Sequence, residues 1–338
     1  MEPQRRPRLT PAIADVRRAV RAALPSPQDD AVQPLVLVAL SGGPDSLALA
    51  AATAFEAQRA GIRAGAIVVD HGLQPGSAEV ASRAAQQARD LGLAPVRSVR
   101  VSVDGSGGPE AAARTARFAA LDRAAKEAGA SLVLLGHTLD DQAETVLLGL
   151  ARGSGPTSLH GMAPSTSSGT GVTYARPLLG VRRSTTGQFC IDSALAPWTD
   201  PHNSDDAFTR VRVRNTVLPM LERELGPGVA EALARTAEQL REDSGALDHF
   251  AEEITEELAD LAESGISLPV RALASNPAAL RQRLIRLAVE SEFHVALSRA
   301  QTLDIARLVT DWHGQKALDL PGVRVERQGA LLIFTATE

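Results

Sequence analysis

The chain has 338 residues, 44% of them hydrophobic and 22% charged, with a formal net charge of −5. That balance excludes general disorder and fibrous architecture, the length suggests two domains, and the weak acidity argues against a surface coated in nucleic acid while saying nothing of local basic clusters. No apolar run approaches the roughly 20 residues of a membrane-spanning helix, and the Arg- and Pro-rich segment Met1 to Thr10 leads into no signal-peptide core, so no membrane association and a cytoplasmic location are expected.

In chain order, Thr10 to Leu24 reads as a helix and Pro25 to Pro34 as a loop. Leu35 to Leu40 is a continuous apolar run between Pro34 and a glycine pair, the pattern of a strand buried on both faces. An Ala-rich helix follows over Leu47 to Ala60, then a second buried strand, Ala64 to Val69. The alternation continues with a helix at Ser77 to Leu91, a strand at Val96 to Val103, a helix at Pro109 to Ala128, a strand at Leu132 to Leu135 and a helix at Asp140 to Ala151. Strands separated by helices at this spacing predict a parallel sheet with helices on both faces, and ligands in such sheets bind beyond the carboxyl ends of the strands. Pro164 to Val172, rich in Ser, Thr and Gly, reads as a flexible loop or linker. Beyond Thr209 the pattern is mostly helical, at Val211 to Leu225, Val229 to Leu261, Pro277 to Ser291 and Ser298 to His313. Two strand-like runs, Gly322 to Glu326 and Ala330 to Phe334, close the chain around the turn Gln328-Gly329. The expected division is an N-terminal helix and loop over 1–33, an α/β domain over 34–225 and a smaller, mostly helical domain over 226–338.

Cys190 is the only cysteine, which excludes an intrachain disulfide, a Cys-based zinc site and a Cys-ligated iron–sulfur cluster. Beside Phe189 and Ile191 it reads as a small buried apolar residue.

Ser41-Gly42-Gly43-Pro44-Asp45-Ser46 lies between the first buried strand and the helix that follows it. Paired glycines let backbone approach an anion closely, and the helix start aims free N–H groups and its positive dipole end at the same place. Ser41 and Ser46 add hydroxyl donors, while a carboxylate in a phosphate site, Asp45, makes sense chiefly as a partner for Mg²⁺. The plainer reading of the loop alone is a Gly-Gly turn with a serine helix cap. No Gly-Lys-Ser/Thr and no G-x-G-x-x-G after a strand is present; Gly105 to Gly108 continues to Glu110 where a third glycine would stand.

The hexapeptide, with its strand before and helix after, resembles the SGGxDS loop of the PP-loop ATP-pyrophosphatases, of the adenine nucleotide alpha hydrolase-like fold. The resemblance implies a grip on the β- and γ-phosphates of ATP, attack at the α-phosphate, and an adenylated substrate plus pyrophosphate. The loop alone also fits NAD, GMP and argininosuccinate synthetases and tRNA thiolases. Four further stretches resemble segments of the tRNA(Ile)-lysidine synthetases: Val69-Asp70-His71-Gly72-Leu73; Glu110 to Arg114 with Arg117; Gly136-His137-Thr138-Leu139-Asp140-Asp141-Gln142-Ala143-Glu144-Thr145 followed by Arg152-Gly153-Ser154-Gly155; and Asp200-Pro201-His202-Asn203 followed by Arg210, Arg214 and Pro219. They cover about Leu35 to Leu221 in the family's order. Thr138 departs from the family, which usually has a second histidine there, and the length resembles the compact form without the last carboxyl-terminal domain.

The resemblance implies ATP and Mg²⁺, free L-lysine, and a tRNA(Ile) with a CAU anticodon. Its wobble cytidine would be adenylated and converted to lysidine, changing codon reading from AUG to AUA and identity from methionine to isoleucine. It implies catalytic roles for Asp45, Asp141, Glu144 and His137, and ATP binding by Ser41, Gly42, Gly43, Pro44, Asp45, Ser46, Val69, His71 and Gly136. Asp45 and Asp141 are the metal candidates, and Arg114, Arg117, Asn203, Arg210 and Arg214 those for tRNA or phosphate. Helical spacing puts Asp141 and Glu144 on one face, where they could grip an ammonium or Mg²⁺ or simply cap the helix; which does which stays open. Arg114 with Arg117, and Arg210 with Arg214, share faces, with Arg212 pointing elsewhere. Tyr174 and Trp198 are the stacking candidates, the region beyond 225 is expected to hold the tRNA body, and a homodimer stays open.

Competing readings are a cytidine-type tRNA thiolase, for which a single cysteine cannot supply the chemistry, a small-molecule amide-forming ligase that ignores tRNA, and a non-catalytic tRNA-binding protein. Against the last stand the intact Asp45, Asp141 and Glu144.

Overall fold

The computed structural model describes residues 9–26, 33–70, 72, 76–101, 109–153, 155–258, 260–262 and 265–337. The chain divides into two compact units, Met1–Glu238 and Gln239–Glu338. The division falls within a long helix rather than in the loop before it.

The first unit opens with α1 (Pro11–Ala23), where the Thr10 hydroxyl accepts from Ile13 N–H and Pro11 occupies the first turn. Its buried stripe is Ala12, Ile13, Val16 and Val20. The strands are β1 (Leu35–Ala39), β2 (Arg63–Asp70), β3 (Val96–Arg100), β4 (Leu132–Leu134), β5 (Ser165–Ser167) and β6 (Thr173–Ala175), in the order β3-β2-β1-β4-β6-β5. All pairings are parallel except β5 on β6. Between and after them lie α2 (Pro44–Arg59), α3 (Ser77–Asp90), α4 (Pro109–Ala128), α5 (Leu139–Ala151), the single turn α6 (Pro156–Leu159), α7 (Arg183–Asp192), α8 (Thr209–Arg212), α9 (Leu218–Leu225) and α10 (Val229–Leu258).

Alternation along β1 builds both halves of the core. Val36 and Val38 join Ile13, Leu47, Val68 and Phe189 on one face, while Leu35 and Leu37 join Ile67, Leu121, Val133 and Tyr174 on the other. The strand order reverses between β1 and β4, so the cleft beyond their carboxyl ends is the topological switch point.

Three features differ from the sequence reading. Pro164 to Val172 is not a linker: it contributes β5, tied by Ser168 N–H to Val172 O at 2.8 Å into a hairpin on the sheet edge. A π-helical turn, Val213–Val217, interrupts the helical stretch that starts at Thr209. Helix α7 was not anticipated, because RSTTGQFCID carries no apolar stripe.

In the second unit, α11 (Val270–Ser275), α12 (Ala278–Phe293) and α13 (Arg299–Thr310) accompany an antiparallel sheet of β7 (Asp260–Ala262), β8 (Gly265–Pro269), β9 (Leu318–Leu320), β10 (Val323–Gln328) and β11 (Leu331–Ala336). Its order is β7-β8-β11-β10-β9. The unit is therefore mixed helix and sheet, with Leu268, Ile285, Val289, Ile305, Val325 and Phe334 in one core. Among the described residues no helix is long and apolar enough to cross a membrane.

Candidate active site

The loop after β1 turns at Gly42, whose φ of +86° suits glycine, and a Cβ there would stand 3.4 Å from Ala84 Cβ. Ser41 N–H donates to Ser46 Oγ at 3.2 Å, and Ser46 Oγ donates to Gly43 O at 3.1 Å, so the buried Ser46 pins the turn from inside. Gly43 is the N-cap of α2 and no side chain caps it, so the helix start keeps its positive dipole end uncovered by a side-chain acceptor. Gly136, just past β4, packs on the same place: a Cβ there would lie 3.1 Å from both Ser46 Cα and Ser46 N. Trp198 N–H donates to Gly42 O at 2.9 Å, closing the loop's other side.

Beyond these strand ends lies a cavity of about 550 Å³. Of the expected nucleotide residues, Ser41, Gly43, Pro44, Asp45, Ser46, Val69 and Gly136 line it, and Gly42 sits within the turn. His137, Asp141, Arg117, Asn203 and Arg214 line it too, as does Trp198. Glu144, Arg114 and Arg210 are not part of its wall. His71, expected at the nucleotide, lies outside the described residues. Tyr174 is buried with its hydroxyl donating to Asp122 at 2.6 Å, so it offers no stacking face.

Helix α5 begins with a reciprocal cap. Thr138 N–H and Thr138 Oγ1 both donate to Asp141 Oδ2, at 2.8 and 2.9 Å, and Asp141 N–H returns to Thr138 Oγ1. Thr138 thus holds α5 and orients Asp141. Around this helix start runs a network of carboxylates and guanidiniums. Arg183 Nη2 donates to Asp141 Oδ1 at 2.8 Å and to Glu144 Oε1 at 3.1 Å, and Arg183 Nε stands 3.6 Å from Asp45 Oδ2. Arg214 donates to Glu144 Oε1 and Oε2 at 2.8 and 3.1 Å and to Asp141 Oδ1 at 3.3 Å. Arg210, on the same helical face, bonds Thr145 at 3.2 Å, whereas Arg212 turns away to the carbonyls of Asp206 and Ala207. Glu144 is wholly buried behind these cations. Thr186 donates to Asp45 Oδ1.

The electrostatics differ from group to group. Burial raises the Asp45 carboxyl, opposed by the Thr186 hydrogen bond and Arg183. Burial also pushes on Asp141, but Arg183 and the Thr138 N–H outweigh it and hold that carboxyl below its usual value. Burial brings His137 down to about 4, aided by Arg117, Arg176 and Arg114 against Asp141, so His137 is neutral at physiological pH. Burial, then Arg114 and Arg210, brings Arg117 down to about 10, which leaves it a cation. His137 Nδ1 and Arg117 Nε are buried without a hydrogen-bond partner, and both side chains line the cavity.

Arg183 and Thr186 escaped the sequence reading, since α7 carries no pattern that marks a site. Among the described residues no cluster of three or more His, Cys, Asp or Glu could hold a metal unaided. Asp45 nonetheless fits Mg²⁺, which is commonly held by one or two carboxylates together with substrate phosphates: its Oδ2 is only loosely engaged, and the residue lines the cavity from within the glycine loop. Asp141 fits less well, both oxygens being taken by the cap and the guanidiniums.

Comparison with known proteins agrees with this geometry. A PP-loop domain family matches residues 16–221 and a TilS substrate binding domain family matches residues 268–331. The chain is 66% identical over 301 residues to the tRNA(Ile)-lysidine synthase of Leifsonia xyli subsp. xyli, covering 89% of both chains. It is 51% identical over 320 residues to that of Thermobifida fusca, covering 94% of this chain and 95% of the relative. Among solved structures, the U34-tRNA thiolase NcsA of Methanococcus maripaludis superposes with a TM-score of 0.55 at 20% identity, over 68% of this chain and 80% of the thiolase, a likeness of fold. Family patterns over both units and close relatives along most of its length establish that this chain belongs to the tRNA(Ile)-lysidine synthase family.

Proposed function

We propose that the chain uses ATP to adenylate the wobble cytidine of tRNA(Ile) bearing a CAU anticodon, then replaces the adenylate with lysine to form lysidine. The observation that carries this reading is an uncapped helix start behind paired glycines, opening into the same cavity as Asp45, Asp141, His137 and Arg117.

The cytosine carbonyl oxygen is a poor leaving group until esterified, so activation precedes substitution. The loop Ser41–Ser46 and the α2 start hold the outer phosphates of ATP and leave the α-phosphorus open to that oxygen. Asp45 would hold Mg²⁺, which supplies charge neutralisation of the phosphates when bound. Arg117 keeps its charge and lines the wall, a fit for phosphate oxygens of nucleotide or tRNA, and neutral His137 lines it too as a hydrogen-bonding imidazole. Lysine enters as an ammonium with a pKa of about 10.4 and must pass a proton to water in the open cavity before it attacks. Asp141 lines the cavity and is assigned to receive that amine at Oδ1, which the amine would share with Arg183 and Arg214, whereas Glu144 holds those guanidiniums from behind. The base has to leave the anticodon stack to reach the cavity, as is usual in RNA recognition. Residues beyond 225, matched in part by the substrate binding family, are assigned to the tRNA body.

The test mixes protein, ATP, Mg²⁺, labelled lysine and a CAU-bearing tRNA(Ile) transcript. Label entering the transcript with release of AMP and pyrophosphate supports the reading. Equal labelling of a methionine tRNA transcript refutes the substrate assignment, and ATP turnover with a small acid and ammonia but no response to tRNA refutes the reaction.

A further inference from the structure

Asp45 belongs to the nucleotide loop on α2, and Asp141 and Glu144 belong to α5, so nothing in either helix fixes the distance between them. Carboxylates brought this close repel, and the charge on Asp141 works against ionisation of Asp45. Arg183 answers both problems. Its guanidinium reaches Asp141 Oδ1 at 2.8 Å, Glu144 Oε1 at 3.1 Å and Asp45 Oδ2 at 3.6 Å, and its side chain lines the cavity. The base of the side chain is anchored as well. Arg183 N–H donates to Asp140 Oδ2 at 2.7 Å, and the neighbouring Arg182 pairs with Asp140, Glu222 and Glu231 at 3.1, 3.2 and 2.8 Å. One turn on, Thr186 donates to Asp45.

Arg214 offers a contrast within the same network. It bonds Asp141 and Glu144 and reaches Asp45 through its charge alone, no hydrogen bond or ion pair between the two standing among the described residues. Thr186 offers the opposite contrast, touching Asp45 and neither α5 carboxylate.

We propose that Arg183 is a positioning residue for both half-reactions, its planar fork setting the separation between the nucleotide-loop carboxylate and Asp141, which receives the amine, with Glu144 holding the fork from behind. A guanidinium can serve several acceptors in fixed directions, whereas a lysine ammonium is a point charge on a flexible stem, so the geometry of the fork and not charge alone is required. The inference rests on the two-step reading given under Proposed function.

The test measures the half-reactions separately: tRNA-dependent pyrophosphate release from ATP without lysine, and lysine transfer to the adenylated tRNA already formed on the enzyme, chased with increasing lysine in a single turnover. Arg183→Lys, which keeps the charge, lowers the rates of both by roughly ten- to a hundredfold, the range for losing hydrogen bonds to charged groups. Affinity for tRNA, read by filter binding, stays near wild type. Arg214→Lys weighs more on lysine transfer, chiefly through the lysine concentration that gives half-maximal transfer, and Thr186→Val weighs more on pyrophosphate release. An Arg183→Lys effect on one step alone overturns the inference, as does the same loss in both steps for all of these variants, the signature of a merely structural tie. Should Arg183→Lys fail to fold, the opposite weighting of Arg214→Lys and Thr186→Val carries the test, and identical weighting overturns it. Wild-type protein that neither releases pyrophosphate with tRNA nor transfers lysine removes the two-step reading itself; wild-type activity with the wrong variant pattern removes the inference alone.

Discussion

Gly136→Ala probes how the sheet supports the nucleotide loop. The added methyl would stand 3.1 Å from Ser46 Cα and N and 3.3 Å from the Asp45 carbonyl carbon, so its neighbours must give by a few tenths of an ångström. Those neighbours are backbone of the first turn of α2 and have no rotamer to escape into; the turn itself has to move. Overpacking of this kind costs about 1–3 kcal/mol. If nucleotide binding requires the turn to return to its present position, that strain reappears as affinity, a weakening of roughly five- to a hundredfold. Calorimetric titration with a non-hydrolysable ATP analogue and Mg²⁺ measures it, with a thermal melt to establish that the fold persists. Gly180→Ala is the control, since a Cβ there meets nothing within 4 Å and its φ is not in the left-handed region. Analogue affinity within about twofold of wild type in a folded Gly136→Ala protein would refute the claim that the end of β4 buttresses the phosphate turn.

Other outcomes follow from individual side chains. Burial raises the folded-state pKa of Asp45 above its ordinary 3.8, so its ionisation opposes folding: the cost is absent below about pH 4 and grows as pH rises through the folded value. Asp45→Asn should therefore melt higher than wild type at neutral pH, with the gap closing toward pH 4, while pyrophosphate release is abolished; an Asn variant less stable at neutral pH contradicts the burial argument. Thr138→Ala removes the α5 cap and a donor to Asp141, at about 0.5–2 kcal/mol. A drop of a few degrees in Tm is expected, and an unchanged melt would mean that the cap is not what holds this helix start. Burial pushes the Cys190 thiol up to about 11, so iodoacetamide at pH 8 should leave it unmodified in the native protein and alkylate it in urea; fast native alkylation would contradict its placement.

The alternation of strand and helix through α5 was legible because β1, β2 and β4 lie in the interior of the sheet and read as short apolar runs between turn residues. The loop Ser41–Ser46 and the carboxylates of α5 were legible as motifs, and the structure brings Asp45, Asp141, Glu144 and Arg214 into one network. Arg183 was not legible. Its partners sit on other elements, and α7 is held by Thr186, Phe189 and Cys190 burying their side chains and by Asp140 bonding its first turn, none of which leaves a periodic trace. The sheet of the second unit was half legible: β10 and β11 flank a Gln-Gly turn, whereas β7 and β9 span three residues each, and β8 ends in Pro269 against α11. Pro164 to Val172 misled because a Ser- and Thr-rich edge hairpin exposed to water has the composition of a linker.

The central claim is that the cytosine carbonyl oxygen itself attacks ATP and departs with AMP when the lysine amine takes its place. A tRNA(Ile) transcript carrying ¹⁸O at the C2 carbonyl of the wobble cytidine tests this by mass spectrometry of the AMP released during lysine incorporation. The account predicts AMP carrying the heavy oxygen, in step with lysidine formed. AMP with oxygen of natural abundance, beside lysine-bearing tRNA, would contradict it.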